Sequence, residues 1–115
     1  MEYPVAEMAD RYTIAKLKHE RLNQCTEEMI QLYASLGDRA VIHGFEIGQL
    51  YAINGLIWDM EAEIRQGVIG KESYEEIGRR ALLIRHMNKK RVGVRNLIAN
   101  IEKQPIDVKG NHASE

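Results

Sequence analysis

The sequence predicts an all-α fold, an elongated bundle of three long helices. Three observations predict it. Val, Ile and Leu recur at three- and four-residue spacing rather than alternating. Only two prolines punctuate the 115 residues. The stretches between stop signals are long, at roughly 32, 23 and 30 residues.

Pro4 suits a first helical turn, where its missing N–H is not needed. Nothing breaks the chain before Gly37-Asp38, so the first helix is expected to run from Pro4 to Leu36. That is on the order of 45 Å at helical rise. Val5, Met8, Tyr12, Ala15, Leu22, Met29, Tyr33 and Leu36 form its apolar row, and Ile14 with Leu17 gives the N-terminal half a second covered face. Gly37 to His43 reads as a connector. The second helix is expected from Gly44 to Gln66, with Leu50, Ile53, Ile57, Met60 and Ile64 as its core stripe and Ile47 and Leu56 beside it. Gly67 to Gly70 reads as a turn, and Ser73 with Glu76 as a capping box. The third helix then runs to about Lys103, with Ile77, Ala81, Ile84, Val92 and Ile98 inward, and Pro105 stops it. Residues 1–103 thus form a single helical domain, and 104–115 a polar, mobile C-terminal tail. Long thin helices leave much apolar area uncovered, so self-association as a homodimer or higher oligomer is expected.

Composition excludes several function classes. Hydrophobic residues make up 44% and charged residues 29%, an ordinary globular balance rather than a disordered one. Sixteen basic residues against seventeen acidic give a net charge of −1, which does not exclude nucleic acid but weakens the electrostatic term that dominates its binding and ranks it last among the functions considered. A lone cysteine, Cys25, excludes an intramolecular disulfide and a cysteine zinc cluster. No apolar run approaches the roughly 20 residues of a membrane span. The start, MEYPVAEMAD, has no signal core, so a cytoplasmic protein with no membrane partner is expected.

Catalytic motifs are excluded in the same way. Gly67-Val68-Ile69-Gly70-Lys71 lacks the spacing and the preceding strand of a phosphate loop. His19, His43, His86 and His112 show no i,i+4 pair for a metal. Cys25 has no local base, and the serines fall at helix ends or in the tail. No catalytic residue, metal ligand or cofactor is assigned.

Polar rows beside the core are more informative. Asn54, Trp58, Glu61 and Arg65 are spaced four, three and four, on a line about 60° round from the Leu50–Ile57–Ile64 edge. Arg85, Asn88, Arg91 and Arg95 fall on or beside the inward face of the third helix. Charges placed there must be paired or solvated. Glu61 is the expected partner for one of these arginines, which leaves positive charge over. Arg79 to Arg95 carries seven basic residues and no acid, although His86, Lys89 and Lys90 point outward. Two readings compete. The charges fix helix register, or they form a pocket in which Arg85, Arg91 and Arg95 meet an anion, with Trp58 as a stacking wall and Glu61 as an acceptor. A third row, Gly44, Gly48, Gly55 and Ala62 with Tyr51, carries a helix penalty of up to about 1 kcal/mol per glycine. That cost suggests close approach by another backbone or a ligand.

Three segments carry a resemblance: Val5-Ala6-Glu7-Met8-Ala9-Asp10-Arg11-Tyr12-Thr13-Ile14 with Lys18, then Asn54-Gly55-Leu56-Ile57-Trp58-Asp59-Met60-Glu61 with Ile64-Arg65, then Asn88-Lys89-Lys90-Arg91. In this order they resemble a family of short, uncharacterised bacterial helical proteins often encoded near glycosyltransferase genes. Ala15 and Lys16 depart from its pattern of Leu and an acid, and the turn before the third helix is shorter. The resemblance implies an all-helical fold and no particular activity. It singles out Asp10, Arg11, Lys18, Trp58, Glu61, Arg65, Asn88 and Arg91 as a shared polar set. Its gene neighbourhood points, by association alone, to saccharide or nucleotide-sugar chemistry.

The expected function is a non-enzymatic, oligomeric binding protein that sequesters an anionic, nucleotide-like small molecule. Its ligand site would comprise Asp10, Arg11, Lys18, Trp58, Glu61, Arg65, Arg85, Asn88, Arg91 and Arg95. The alternatives are a helical protein–protein interaction module, and a small helical enzyme acting on an anionic metabolite.

Overall fold

A computed structural model describes residues 3–67 and 74–106, and every regular element among them is an α-helix. The helices are α1 (Val5–Leu22), α2 (Thr26–Leu36), α3 (Arg39–Ile42), α4 (Gly44–Gly67) and α5 (Tyr74–Ile101). The chain is therefore all-α, as its periodicity predicts.

The first predicted helix is corrected. It breaks at Asn23–Cys25 into α1 and α2, so two long helices and a short helical hairpin replace three long helices. Asn23 (φ 54°) and Cys25 (φ 58°) both take the left-handed conformation. The N–H groups of Asn23 and Gln24 return to the carbonyls of His19 and Lys18, which satisfies acceptors that a helix end leaves bare. α2 then runs back along α1. His19 Nδ1 and Thr26 Oγ1 share a hydrogen bond of 2.8 Å at the turn, and the rings of Tyr12 and Tyr33 meet at 5.4 Å further down. The apolar row is kept only in part, since Leu22 and Tyr33 are exposed and Leu32, outside the row, is buried. Folding back buries Leu32 and Leu36 almost completely, and a rod would have left them on an uncovered end.

The core lies where α1, α2, the first half of α4 and the last part of α5 meet. Val5, Met8, Ala9, Leu32, Leu36, Leu50, Val94 and Ile98 fill it. Ala6, Ala9, Ala15 and Ala99 are all buried, and their small side chains let the helix axes come close. Toward the α4–α5 connection the packing thins. From Trp58 to Arg91 no described residue is buried, and Ile77, Ile84, Met60 and Ile64 are half-covered while Ala81 is exposed. The expected turn at residues 68–70 and the Ser73 cap lie outside the described residues.

Within this chain the glycine row is approached only in part. A Cβ built on Gly44 or Gly48 would meet nothing within 4 Å, so no backbone among the described residues approaches there. Only Gly55 is close-packed, with Leu17 Cδ2 at 3.7 Å and Arg21 Nη2 at 3.4 Å.

The end of α5 is tied to both ends of the fold. Glu102 accepts from His43 Nε2 at 2.6 Å and from Arg39 Nε at 3.0 Å, which pins α3 against α5. Gln104 Oε1 accepts the N–H of Val5 at 3.0 Å and so caps α1 from the far end of the chain. The expected tail thus begins with an anchored residue, and 107–115 lie outside the described residues. No helix among the described residues is long and apolar enough to cross a membrane.

Candidate functional site

Asp10 sits on the buried row of α1 with Thr13 and Leu17, spaced three and four. A carboxylate only 3% exposed needs partners, and three helices supply them. Arg91 of α5 donates Nη2 to Oδ2 at 2.6 Å, and its Nε lies 3.1 Å from both oxygens. Asn54 of α4 donates Nδ2 to Oδ1 at 2.9 Å and reaches Thr13 Oγ1 at 2.9 Å. Thr13 in turn donates to the Asp10 carbonyl at 2.8 Å. Arg95, one turn beyond Arg91, brings Nη1 to 3.7 Å from Oδ2, too far for a direct hydrogen bond. Its Nε is buried and meets no acceptor among the described residues.

This corrects the expected pairing. Glu61 is exposed and has no ion pair among the described residues, whereas Asp10 takes the arginine. In the sequence, only the resemblance singles out Asp10. Its place on the Thr13–Leu17 row was the available physical signal, since a carboxylate there can survive only by meeting a cation.

Two cavities open on either side of this cluster. The larger, about 440 Å³, is bounded by Glu7, Asp10, Arg11, Lys18, Glu28, Arg91 and Arg95. The smaller, about 210 Å³, is bounded by Asn54, Ile57, Trp58, Glu61 and Arg65. Ile14 and Arg91 line both. Asp10, Arg11, Lys18, Trp58, Glu61, Arg65, Arg91 and Arg95 are therefore brought together around one partition.

Arg85 and Asn88 are not. Arg85 lines a separate depression with Leu82, His86 and Lys89. Six residues before Arg91, it is turned about 120° away round the helix. Asn88 is half-buried and lines neither cavity.

The charge surplus is smaller than the arginine count suggests. Five cations line the two cavities, against the four carboxylates of Glu7, Asp10, Glu28 and Glu61. Glu7 holds Arg11 Nε at 2.8 Å, and this bond raises the Arg11 pKa. Asp10 holds Arg91. Lys18 and Arg65 have no ion pair among the described residues. Trp58 is half-buried, and the Arg21 guanidinium sits 5.3 Å from its ring centroid, itself fixed by Asp59 at 2.6 Å. These groups can bind and orient an anion and stack a planar group. No serine, cysteine or histidine lines either cavity. No protein family, curated protein or solved structure matches this chain.

Proposed function

We propose that this chain is a non-enzymatic binding protein for an anionic, nucleotide-like small molecule, held across the partition formed by Ile14 and Arg91. The observation that carries the reading is Arg95. It is drawn toward a carboxylate already committed to Arg91, and its buried Nε has no acceptor among the described residues. A buried donor left unmet is costly, and a second anion beside it would relieve that cost. Lys18 on one side and Arg65 on the other extend the positive surface, and Trp58 offers a stacking wall in the adjoining cavity. The resemblance to proteins encoded near glycosyltransferases adds nucleotide sugars to the ligands worth testing.

Self-association is part of the proposal. Val41, Ile42 and Phe45 are 81%, 63% and 73% exposed at the α3–α4 corner, an apolar ledge that a second copy would cover. The same ledge supports the alternative reading, a module that docks a different protein.

A thermal-shift panel of nucleotides, nucleotide sugars and cyclic nucleotides tests the reading. A ligand at 100 times its dissociation constant should stabilise the fold by about 2.7 kcal/mol. A silent panel would favour the docking module. Turnover of a stabilising ligand would make the protein an enzyme acting on an anionic metabolite.

A further inference from the structure

We propose a second ligand site, separate from the Asp10 cluster, that takes a single aromatic ring bearing a carboxylate. It is the cavity of about 260 Å³ between α1, α2 and the α3–α4 corner. It shares no lining residue with the two cavities at Arg91 and does not depend on their function.

Its walls are aromatic. Tyr12, Tyr33 and Tyr51 converge on it from three helices, with Tyr12 and Tyr33 inclined at 39° to one another. Phenol rings so placed favour a flat ring by offset or edge-on contact. Gly44 and Gly48 leave one side bare, because a Cβ at either would meet nothing. At about 260 Å³ the space falls just under the roughly 300 Å³ of small drug-like pockets and well above the roughly 150 Å³ that admits benzene. One substituted ring fits that interval.

The charge of the ligand follows from Lys16. Its ammonium lies 5.0 Å from the Tyr51 ring centroid and has no ion pair among the described residues. Glu20, one helical turn on from Lys16, accepts the Tyr51 hydroxyl. Aromatic clusters attract cations, but here the protein supplies its own. A ligand cation would be repelled, a neutral ring would leave Lys16 unanswered, and a carboxylate would pair with it.

Three probes of one size test this on the full chain: 4-hydroxybenzoate, 4-hydroxybenzyl alcohol and 4-hydroxybenzylamine. Each is titrated into 15N-labelled protein while the Gly44 and Gly48 amides are followed. The benzoate should shift both amides saturably and bind about three- to fivefold more tightly than the alcohol, the range of one partly exposed ion pair. Lys16→Met should erase that preference while the alcohol still binds. Gly48→Leu should fill the cavity and abolish binding of both, with the remaining amides unmoved. Should Gly48→Leu misfold, Lys16→Met alone decides, since methionine keeps the length of the half-buried side chain and removes only its charge. Equal affinity for all three probes overturns the proposal, as does the absence of saturable shifts at both glycines. It is also overturned if the benzoate shifts the amides of Lys18 and Arg91 instead. A wild-type dimer that Gly48→Leu splits, with no probe binding to either form, would show that a second copy fills the cavity.

Discussion

Arg91 grips Asp10 with two nitrogens across 81 residues of chain, its Nη2 at 2.6 Å from Oδ2. The pair joins α1 to α5, and Asn54 adds α4 to the same carboxylate at 2.9 Å. Asp10 is 4% exposed at its side chain and Arg91 27%, so the attraction is only partly screened by water. The cluster is thus a structural tie and the rim of a cavity at once. Which role dominates can be read from stability.

Removing one partner of a buried pair leaves the other stranded. Asp10→Ala should destabilise by about 3 kcal/mol, because Arg91 loses its carboxylate, Arg95 loses its nearby anion and Asn54 keeps only Thr13. Arg91→Ala should cost about 2 kcal/mol, less because Asp10 keeps Asn54 and solvent reaches the site. The double mutant should lose less than the two together, with a coupling of about 1–2 kcal/mol. Glu61→Ala, exposed and unpaired, should stay within about 0.5 kcal/mol of the parent. Urea melts of the four proteins check this ordering. If Glu61→Ala melts early while Arg91→Ala does not, Asp10 is not the central tie.

The hairpin turn rests on two left-handed residues. Asn tolerates that conformation, whereas a β-branched residue there costs roughly 1–2 kcal/mol. Asn23 is exposed, so a substitution tests the backbone and little else. Asn23→Val should destabilise by about 1–2 kcal/mol, and Asn23→Gly should be neutral or slightly stabilising. Thermal melts would show both. Equal melting of the Val and Gly variants would mean that α1 and α2 are not separated at this turn.

Why the break was not legible follows from the same residues. Neither glycine nor proline marks positions 23–25, and the apolar spacing continues across them without a phase change. Periodicity reports which residues share a face and not where the chain folds back, and the fold buries Leu32 in place of Leu22 and Tyr33. The long α4 and α5 were legible because Gly44, Gly67 and Pro105 stand near their ends. The site was half legible. Trp58, Glu61, Arg65, Arg91 and Arg95 were placed by helical spacing, yet the carboxylate that organises them lies on another helix. Spacing within one helix carries no information about which charge faces it from the next. Arg85 shows the same limit, since lying beside the apolar stripe did not bring it to the cavity.

Glu102 predicts an acid-sensitive contact. Hydrogen bonds from His43, then from Arg39, hold its carboxyl below the ordinary glutamate range, against the opposing effect of burial. A depressed folded pKa stabilises the fold at pH above the unfolded glutamate value, about 4.3. That contribution is lost as pH falls through the lower folded value. Glu102→Gln should therefore be less stable than the parent at pH 6, and the gap should close as both are taken toward pH 3. Denaturation midpoints at several pH values would show it. A gap that widens in acid would contradict the assigned cause.

The last prediction separates binding from folding at the proposed anion site. Lys18 lines the larger cavity, is half-buried and has no ion pair among the described residues, so folding does not depend on its charge. Arg65 stands in the same position at the smaller cavity. Lys18→Ala and Arg65→Ala should each keep stability within about 0.5 kcal/mol of the parent. Each should nonetheless weaken a nucleotide found by the thermal panel by about tenfold, as losing one charge-assisted hydrogen bond does. Trp58 is the sole tryptophan, so its fluorescence reports the smaller cavity directly. Ligand should change its emission, and Trp58→Phe should weaken binding while leaving a folded protein. Arg21 also stacks on the indole, which makes Arg21→Ala a necessary control. That variant should alter the resting emission and still bind. Ligand binding that leaves the emission unchanged and survives both Lys18→Ala and Arg65→Ala would place the ligand elsewhere on the protein.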